Sequence, residues 1–143
     1  MKNVTVLFRM VLGLALIGTI SSSIAVQEKI KGFSRLAIIW STADAEVANR
    51  LCFPYAGNAK KQGWFEEVTV IVWGPSARLL AGDTELQAKV KALVKDGVKV
   101  EACLSCADFY GVSDKLRGLG IEVKLMGKPL SDMLQNDWKV LTF

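Results

Sequence analysis

The stretch VKVEACLSCAD, from Val98 to Asp108, joins a segment of strand length to a pair of cysteines. Its first five residues are predicted to form a buried strand that stops at Cys103. The residues that follow are predicted to begin a helix that carries Cys106. These two thiols, three residues apart, are the only grouping in the sequence that could carry reactive chemistry. The rest of the chain is predicted to be the scaffold that presents them.

Four further segments are predicted to be strands, and the first two are continuous apolar runs typical of strands covered on both faces. They are Arg35–Trp40, Val68–Trp73, Ile121–Met126 and Lys139–Phe143. Helical patterns lie between the strands at Asp44–Gln62, Pro75–Leu80, Glu85–Lys95, Asp108–Leu119 and Gly127–Gln135. Pro54 is expected to kink or break the first helix, because proline cannot donate the hydrogen bond that a helix interior needs.

Strands and helices alternate along the chain, and the connections between strands are too long for hairpins. This alternation predicts an α/β fold with a mainly parallel five-stranded sheet and helices on both faces. The order of the strands does not follow from the pattern. Reactive groups in such sheets gather outside the carboxyl ends of the strands, and Cys103 is predicted to lie at one of them.

Residues 1–25 have the pattern of a secretory signal peptide. Lys2 and Arg9 charge its start, Met10–Ile20 is apolar, and Ser23-Ile24-Ala25 is a small-x-small cleavage pattern. The apolar run is shorter than the ~20 residues of a membrane span. An uncleaved anchor that extends to Val26 is the alternative, and only that form would attach the protein to a membrane.

We therefore predict an exported, periplasmic protein with a signal peptide over residues 1–25, a polar linker over residues 26–34 and one α/β domain over residues 35–143. In this compartment thiols are exposed to oxidation.

The composition excludes several classes of function. Without Lys2 and Arg9 of the leader, 16 basic and 14 acidic residues remain, too even a balance to favour binding of nucleic acid. The sequence has no histidine, so Ser-His and Cys-His nucleophile pairs are absent. Three cysteines are too few for an all-cysteine zinc or iron–sulfur site, which leaves only a Cys/Cys/Asp arrangement. We expect neither a metal nor a cofactor.

The position of the cysteine pair suggests two reactions. The start of a helix favours the thiolate, which is the nucleophilic form of cysteine. Cys103 could hold sulfur as a persulfide that Cys106 releases by forming a disulfide, or the pair could cycle between dithiol and disulfide. An inert disulfide bridge and two thiols that merely pack remain alternatives. Cys52 is interpreted as a core thiol, and Ser76 as a helix-start residue rather than an anion ligand.

Three segments resemble the DsrE/DsrF-like family of small sulfur-relay proteins: Val100–Val123, Val70–Leu80 and Trp138–Phe143. The resemblance covers Arg35–Phe143. It implies a three-layer α/β/α fold, assembly into homo-trimers or homo-hexamers, and a cysteine that accepts and passes on sulfane sulfur. That cysteine falls on Cys103.

Two features qualify the resemblance. Cys106 matches a second cysteine that only part of the family has. The leader also departs from the best understood relatives, which work in the cytoplasm with partner proteins, and this speaks against a role in transfer RNA modification.

The sequence thus predicts a sulfur-binding or sulfur-transfer protein whose partners are a sulfur donor and a sulfur acceptor, with Cys103 and Cys106 as its site residues. A dithiol–disulfide oxidoreductase that uses the same pair is the first alternative. A non-catalytic, oligomeric binding module is the second.

Overall fold

The computed structural model describes residues 35–143. The predicted signal peptide and linker lie outside the described residues. Within residues 35–143, no helix combines the length and the apolar character that crossing a membrane requires.

Five parallel strands form a single sheet in the order β4-β3-β2-β1-β5. Their bounds are β1 (Arg35–Trp40), β2 (Glu67–Val72), β3 (Lys99–Cys103), β4 (Glu122–Lys124) and β5 (Trp138–Thr142). The predicted α/β fold is confirmed, and the sheet is parallel throughout. The fourth strand is shorter than the predicted segment Ile121–Met126, because only three of its residues pair with β3.

Helices follow each of the first four strands. They are α1 (Ala45–Val47), which continues through a π-helical stretch (Ala48–Cys52) into α2 (Phe53–Lys61), then α3 (Pro75–Gly82), α4 (Thr84–Lys95), α5 (Leu104–Phe109), α6 (Ser113–Arg117) and α7 (Gly127–Gln135). The helix after β3 begins at Leu104, directly behind the cysteine, and carries Cys106 as predicted, while the predicted helical segment Asp108–Leu119 is divided between α5 and α6.

The strand order explains how the helices are divided between two layers. The steps β1 to β2, β2 to β3 and β3 to β4 all move in one direction, and right-handed crossovers then put their helices on one face. The step from β4 to β5 runs back past β1, so α7 falls on the opposite face. The buried clusters agree with this division and give the three-layer α/β/α arrangement.

The larger core lies on the face covered by α1 to α6, called here the first face. It is built from alternate residues of the central strands, such as Leu36 and Ile38 of β1, packed against the apolar sides of the helices. Trp40 meets Phe53 edge to face at 5.1 Å between ring centroids. The opposite face, covered by α7 and called here the second face, carries a smaller cluster that includes Cys103.

Pro54 does not break the first helix. The chain stays helical from Ala45 to Lys61, and the turn before the proline widens into a π-helix. There the Phe53 N–H donates to the Ala48 carbonyl, five residues back. The wider turn makes room for a ring that would clash with a carbonyl of a regular α-helix and that has no N–H to offer.

Candidate functional site

Cys103 is the last residue of β3 and the residue that precedes α5. Its extended backbone, with φ −69° and ψ 115°, turns the chain from the sheet into the helix. Its Cα pairs with that of Lys124 on β4. The structure therefore puts Cys103 at the carboxyl edge of the sheet, where the sequence predicted it.

The structure brings Cys103 and Cys106 together and leaves both as free thiols. Cys103 is buried, with 5% of its surface exposed, whereas Cys106 is half-buried. The Cys106 thiol lies within hydrogen-bonding reach of Cys103 and of the Gly74 backbone. The inert disulfide that the spacing left open is not formed here.

Burial is the main reason that the pKa of Cys106 is raised above its ordinary value. The hydrogen bond with Cys103 and the negative charge that Cys103 can carry raise it further, because two thiolates side by side repel each other. The Gly74 amide acts in the opposite direction. Cys106 therefore loses its proton less readily than an ordinary cysteine thiol does.

The turn after β2 supplies that amide. Gly74 has φ 69° and ψ −135°, a backbone conformation that residues with a side chain rarely adopt. The Ser76 hydroxyl fixes the turn: it accepts from the Trp73 N–H at 3.0 Å and lies 2.6 Å from the Trp40 carbonyl, to which it donates. Ser76 is fully buried and ties the ends of β1 and β2 together, in keeping with a structural role rather than anion binding.

Apolar side chains surround Cys103 on the second face. Ala37, Ile71 and Met126 are buried with it. Half-buried side chains complete the cluster, namely Trp73, Cys106, Leu130, Met133, Trp138 and Val140. The thiol thus sits among polarizable and apolar groups, with α7 as the covering helix.

One charged network borders this cluster, and the sequence reasoning missed it. Glu101 is 1% exposed, and its Oε1 accepts from Lys124 Nζ at 2.7 Å and from Lys99 Nζ. Lys124 Nζ also lies 3.1 Å from an oxygen of Glu122. The signal for it lies in the stretch from Val98 to Asp108, because Lys99, Glu101 and Cys103 are alternate residues of β3 and so share one face.

Two opposing effects act on the Glu101 carboxyl. Burial by itself raises its pKa, but the hydrogen bonds and charges of Lys124 and Lys99 outweigh burial and hold the pKa below the ordinary value of 4.5. The pKa of Lys124 is in turn raised, because its two carboxylate partners outweigh the desolvation that lowers it. Both shifts favour the charged forms, so Glu101 and Lys124 form an ion pair at neutral pH.

The third cysteine lies elsewhere. Cys52 belongs to the buried core of the first face and is fully buried, as predicted. Burial raises the pKa of the Cys52 thiol to about 12. No group of three or more metal-ligating side chains is found between residues 35 and 143.

Comparisons with known proteins agree with the fold. The model of the DsrE/DsrF-like family matches residues 34–143. A solved structure of a conserved protein of unknown function, BT1422 from Bacteroides thetaiotaomicron, is 34% identical, with a TM-score of 0.74 over 77% of this chain and 95% of that chain. The crystal structure of the ychN protein from E. coli is similar in fold, with 19% identity and a TM-score of 0.60 over 78% of this chain and 100% of that chain. No curated protein matches the chain significantly.

Proposed function

The chain belongs to the DsrE/DsrF-like family, and from that premise we propose that it is a sulfur-binding or sulfur-transfer protein that carries sulfane sulfur as a persulfide on Cys103. One observation carries the proposal: a free thiol ends β3 at the carboxyl edge of the sheet, and a second free thiol lies within hydrogen-bonding reach of it. Groups that react with ligands gather at this edge in parallel α/β sheets.

The loading step is a thiolate attack on a donor persulfide, R–S–SH. A bond forms between Cys103 Sγ and the outer sulfur of the donor, the donor S–S bond breaks, and the donor leaves as the thiolate RS⁻. One S–S bond replaces another, so the step needs no external oxidant. The product is Cys103–S–SH.

Two routes empty the carrier. An acceptor thiolate can attack the outer sulfur, which takes the sulfur away and returns the Cys103 thiolate. Alternatively, Cys106 attacks Cys103 Sγ, the persulfide S–S bond breaks, hydrosulfide leaves, and a Cys103–Cys106 disulfide forms that an external dithiol reduces. The raised pKa of Cys106 favours storage over this second route, because Cys106 must first lose its proton.

The burial of Cys103 bears on access to the sulfur. Only 5% of its surface is exposed, while the neighbouring Cys106 is half-buried. Loading therefore requires neighbouring side chains of the second-face cluster to move aside. A persulfide that forms beneath them is shielded from water and from thiols in bulk solution.

The test of this proposal is to incubate the full chain with polysulfide and with a persulfide-generating donor enzyme. Mass spectrometry of the peptide that contains Cys103 should show one added sulfur atom, which a reductant removes and Cys103→Ser abolishes. Cys52→Ser is the matched control and should load normally. Absence of added sulfur with every donor would retire the proposal.

The hydrogen-bonded pair also supports the alternative of a dithiol–disulfide oxidoreductase. Cys106→Ser separates the two functions. A sulfur carrier still loads its persulfide after this change, whereas an oxidoreductase loses its Cys103–Cys106 couple and its capacity to reduce insulin. A non-catalytic binding module would keep its assembly and its partner when both cysteines are replaced.

Assembly into homo-trimers or homo-hexamers stays a prediction. Two exposed apolar positions support it: Leu134 on α7 is 62% exposed, and Leu141, which points to the first face from β5, is 39% exposed. Light scattering coupled to size exclusion measures the mass in solution. A charged substitution at either leucine should lower that mass if that position lies between the copies.

A further inference from the structure

We propose that Lys124 is a positioning residue for the reaction at Cys103, and that its ammonium group, held by the buried Glu101, sets the electrostatic field at the Cys103 sulfur. The proposal rests on the proposed function of Cys103, and it concerns the charge state of that thiol rather than the sulfur it carries.

Lys124 and Cys103 are Cα partners in the parallel pair of β3 and β4. Partners in adjacent parallel strands point to the same face of the sheet and are about 5 Å apart. The stem of Lys124 therefore begins beside the thiol. Its side chain is 30% exposed, which is low for a lysine and leaves its charge only partly screened by solvent.

Glu101 explains why the lysine stays at the sheet. The glutamate precedes Cys103 by two residues on the same face and is 1% exposed. Its Oε1 accepts from Lys124 at 2.7 Å, while its Oε2 is buried without a hydrogen-bond partner within the described chain. A buried carboxylate this close to a thiol opposes thiolate formation by like-charge repulsion, and the ammonium of Lys124 offsets that effect.

Lys99 binds the same carboxylate from the other side. It contacts Glu101 Oε1 directly, and its side chain is 51% exposed. Lys99 starts four residues before Cys103 on β3, which is about 13 Å at the rise of a parallel strand. The chain thus offers two lysines that share one partner oxygen and differ in exposure, so solvent screens the charge of Lys99 more strongly than that of Lys124.

The other charged strand residues that alternation puts on the second face are Arg35 and Glu67, which lie at the amino ends of β1 and β2, at the opposite edge of the sheet from Cys103. The elements packed around it contribute apolar groups, such as Ile71 of β2 and Met133 of α7, and the titratable thiol of Cys106 from α5. The charged side chains of α7 pair with each other, since Lys128 binds Asp132. The field at the thiol is therefore set chiefly by the network of Lys99, Glu101, Glu122 and Lys124.

The experiment measures the rate of iodoacetamide labelling of Cys103 against pH in the full chain, followed on its own peptide by mass spectrometry. Lys124→Met should move the midpoint of the profile up by about 0.5 to 1 pH unit, because a nearby cation is lost. Lys99→Met should move it less than half as far. Lys124→Arg, which keeps the charge, should restore the wild-type midpoint.

Equal shifts in Lys124→Met and Lys99→Met, or no shift in either, overturn the proposal. Glu101→Gln should move the midpoint of the labelling profile down, because it removes a negative charge and leaves both ammonium groups. If a thermal melt shows that Lys124→Met does not fold, Glu101→Gln replaces it as the test. An unchanged midpoint in Glu101→Gln then overturns the proposal. Labelling does not depend on sulfur uptake, so a failed loading experiment leaves this result intact.

Discussion

The two faces of the sheet are made from the same strands and have different chemistry. On the first face, Val100 and Ala102 of β3 enter a large apolar core that also holds Cys52. On the second face, Glu101 and Cys103 of the same strand meet a smaller cluster and a charged network. Alternation along β3 thus gives its own residues opposite environments, and Cys52 joins the first face from a helix that packs there.

The environment of each cysteine depends on the face of the sheet on which it packs. Cys52 has apolar neighbours on every side and behaves as a small hydrophobic residue. Cys103 ends its strand at the edge where the chain turns, with Cys106 and a lysine as neighbours. The first face provides stability and the second carries the proposed reaction.

The largest expected difference between the faces is in thiol reactivity. With a pKa of about 12, Cys52 is almost entirely protonated near neutral pH. Its alkylation in the native protein should therefore be roughly a thousandfold slower than in the unfolded chain. Cys106, which is half-buried, should react well before Cys52. Peptide-resolved mass spectrometry gives the rates, and labelling in denaturant, where the three thiols should react alike, is the control.

Stability provides the next test of the comparison. Leu80 of α3 is fully buried on the first face, whereas Leu134 of α7 is 62% exposed. Leu80→Ala should lower the free energy of unfolding by about 3 kcal/mol, because it removes buried methyl groups and leaves a cavity. Leu134→Ala should change it by less than about 0.5 kcal/mol.

Urea unfolding of the two variants measures this pair under the same conditions. Both changes are leucine to alanine within a helix, so helix propensity affects them alike. Equal losses would contradict the division into a core face and a thinly covered face. A loss at Leu134 that shrinks as the protein is diluted would instead point to self-association through α7.

Alkaline pH distinguishes Cys52 through folding itself. Its pKa rises from 9.0 to about 12 on folding, so above about pH 9 the unfolded state ionises this thiol and the folded state does not. This thiol therefore leaves the free energy of unfolding unchanged below about pH 9 and lowers it by about 1.4 kcal/mol for each pH unit above that. Cys52→Ala should lack this fall, which unfolding of both proteins at about pH 8 and pH 10 measures.

The fold was predictable from the sequence because its signals are local. Continuous apolar runs such as Arg35–Trp40 marked the strands, and glycine and proline marked their ends. The behaviour of Pro54 was not predictable, since a π-helical turn depends on the packing of the whole helix rather than on one residue. The strand order likewise depends on which faces pack together.

The candidate site was predictable only in part. Cys103 and Cys106 were evident because two thiols at a strand–helix junction stand out in the sequence. Lys124 was not, because its role depends on the pairing of β3 with β4, and Glu101 and its lysine partner are 23 positions apart in the sequence. Ion pairs between distant segments become visible only when the register of the sheet is known.

The smallest expected effect concerns the charged network of the second face. Because the pKa of Glu101 is held below 4.5 in the folded protein, its ionised form stabilises the fold above that pH, and the contribution is lost as the pH falls through the folded value. Wild type should therefore lose more stability between about pH 7 and pH 3 than Glu101→Gln does. The lysines are 30% and 51% exposed, so solvent screening keeps the difference small.

Glu122→Gln removes the same charge from a side chain that is 55% exposed, and it should change the acid profile less than Glu101→Gln. If the two variants behave alike in urea unfolding, the buried position of Glu101 contributes nothing, and the second face differs from the first by its thiol alone.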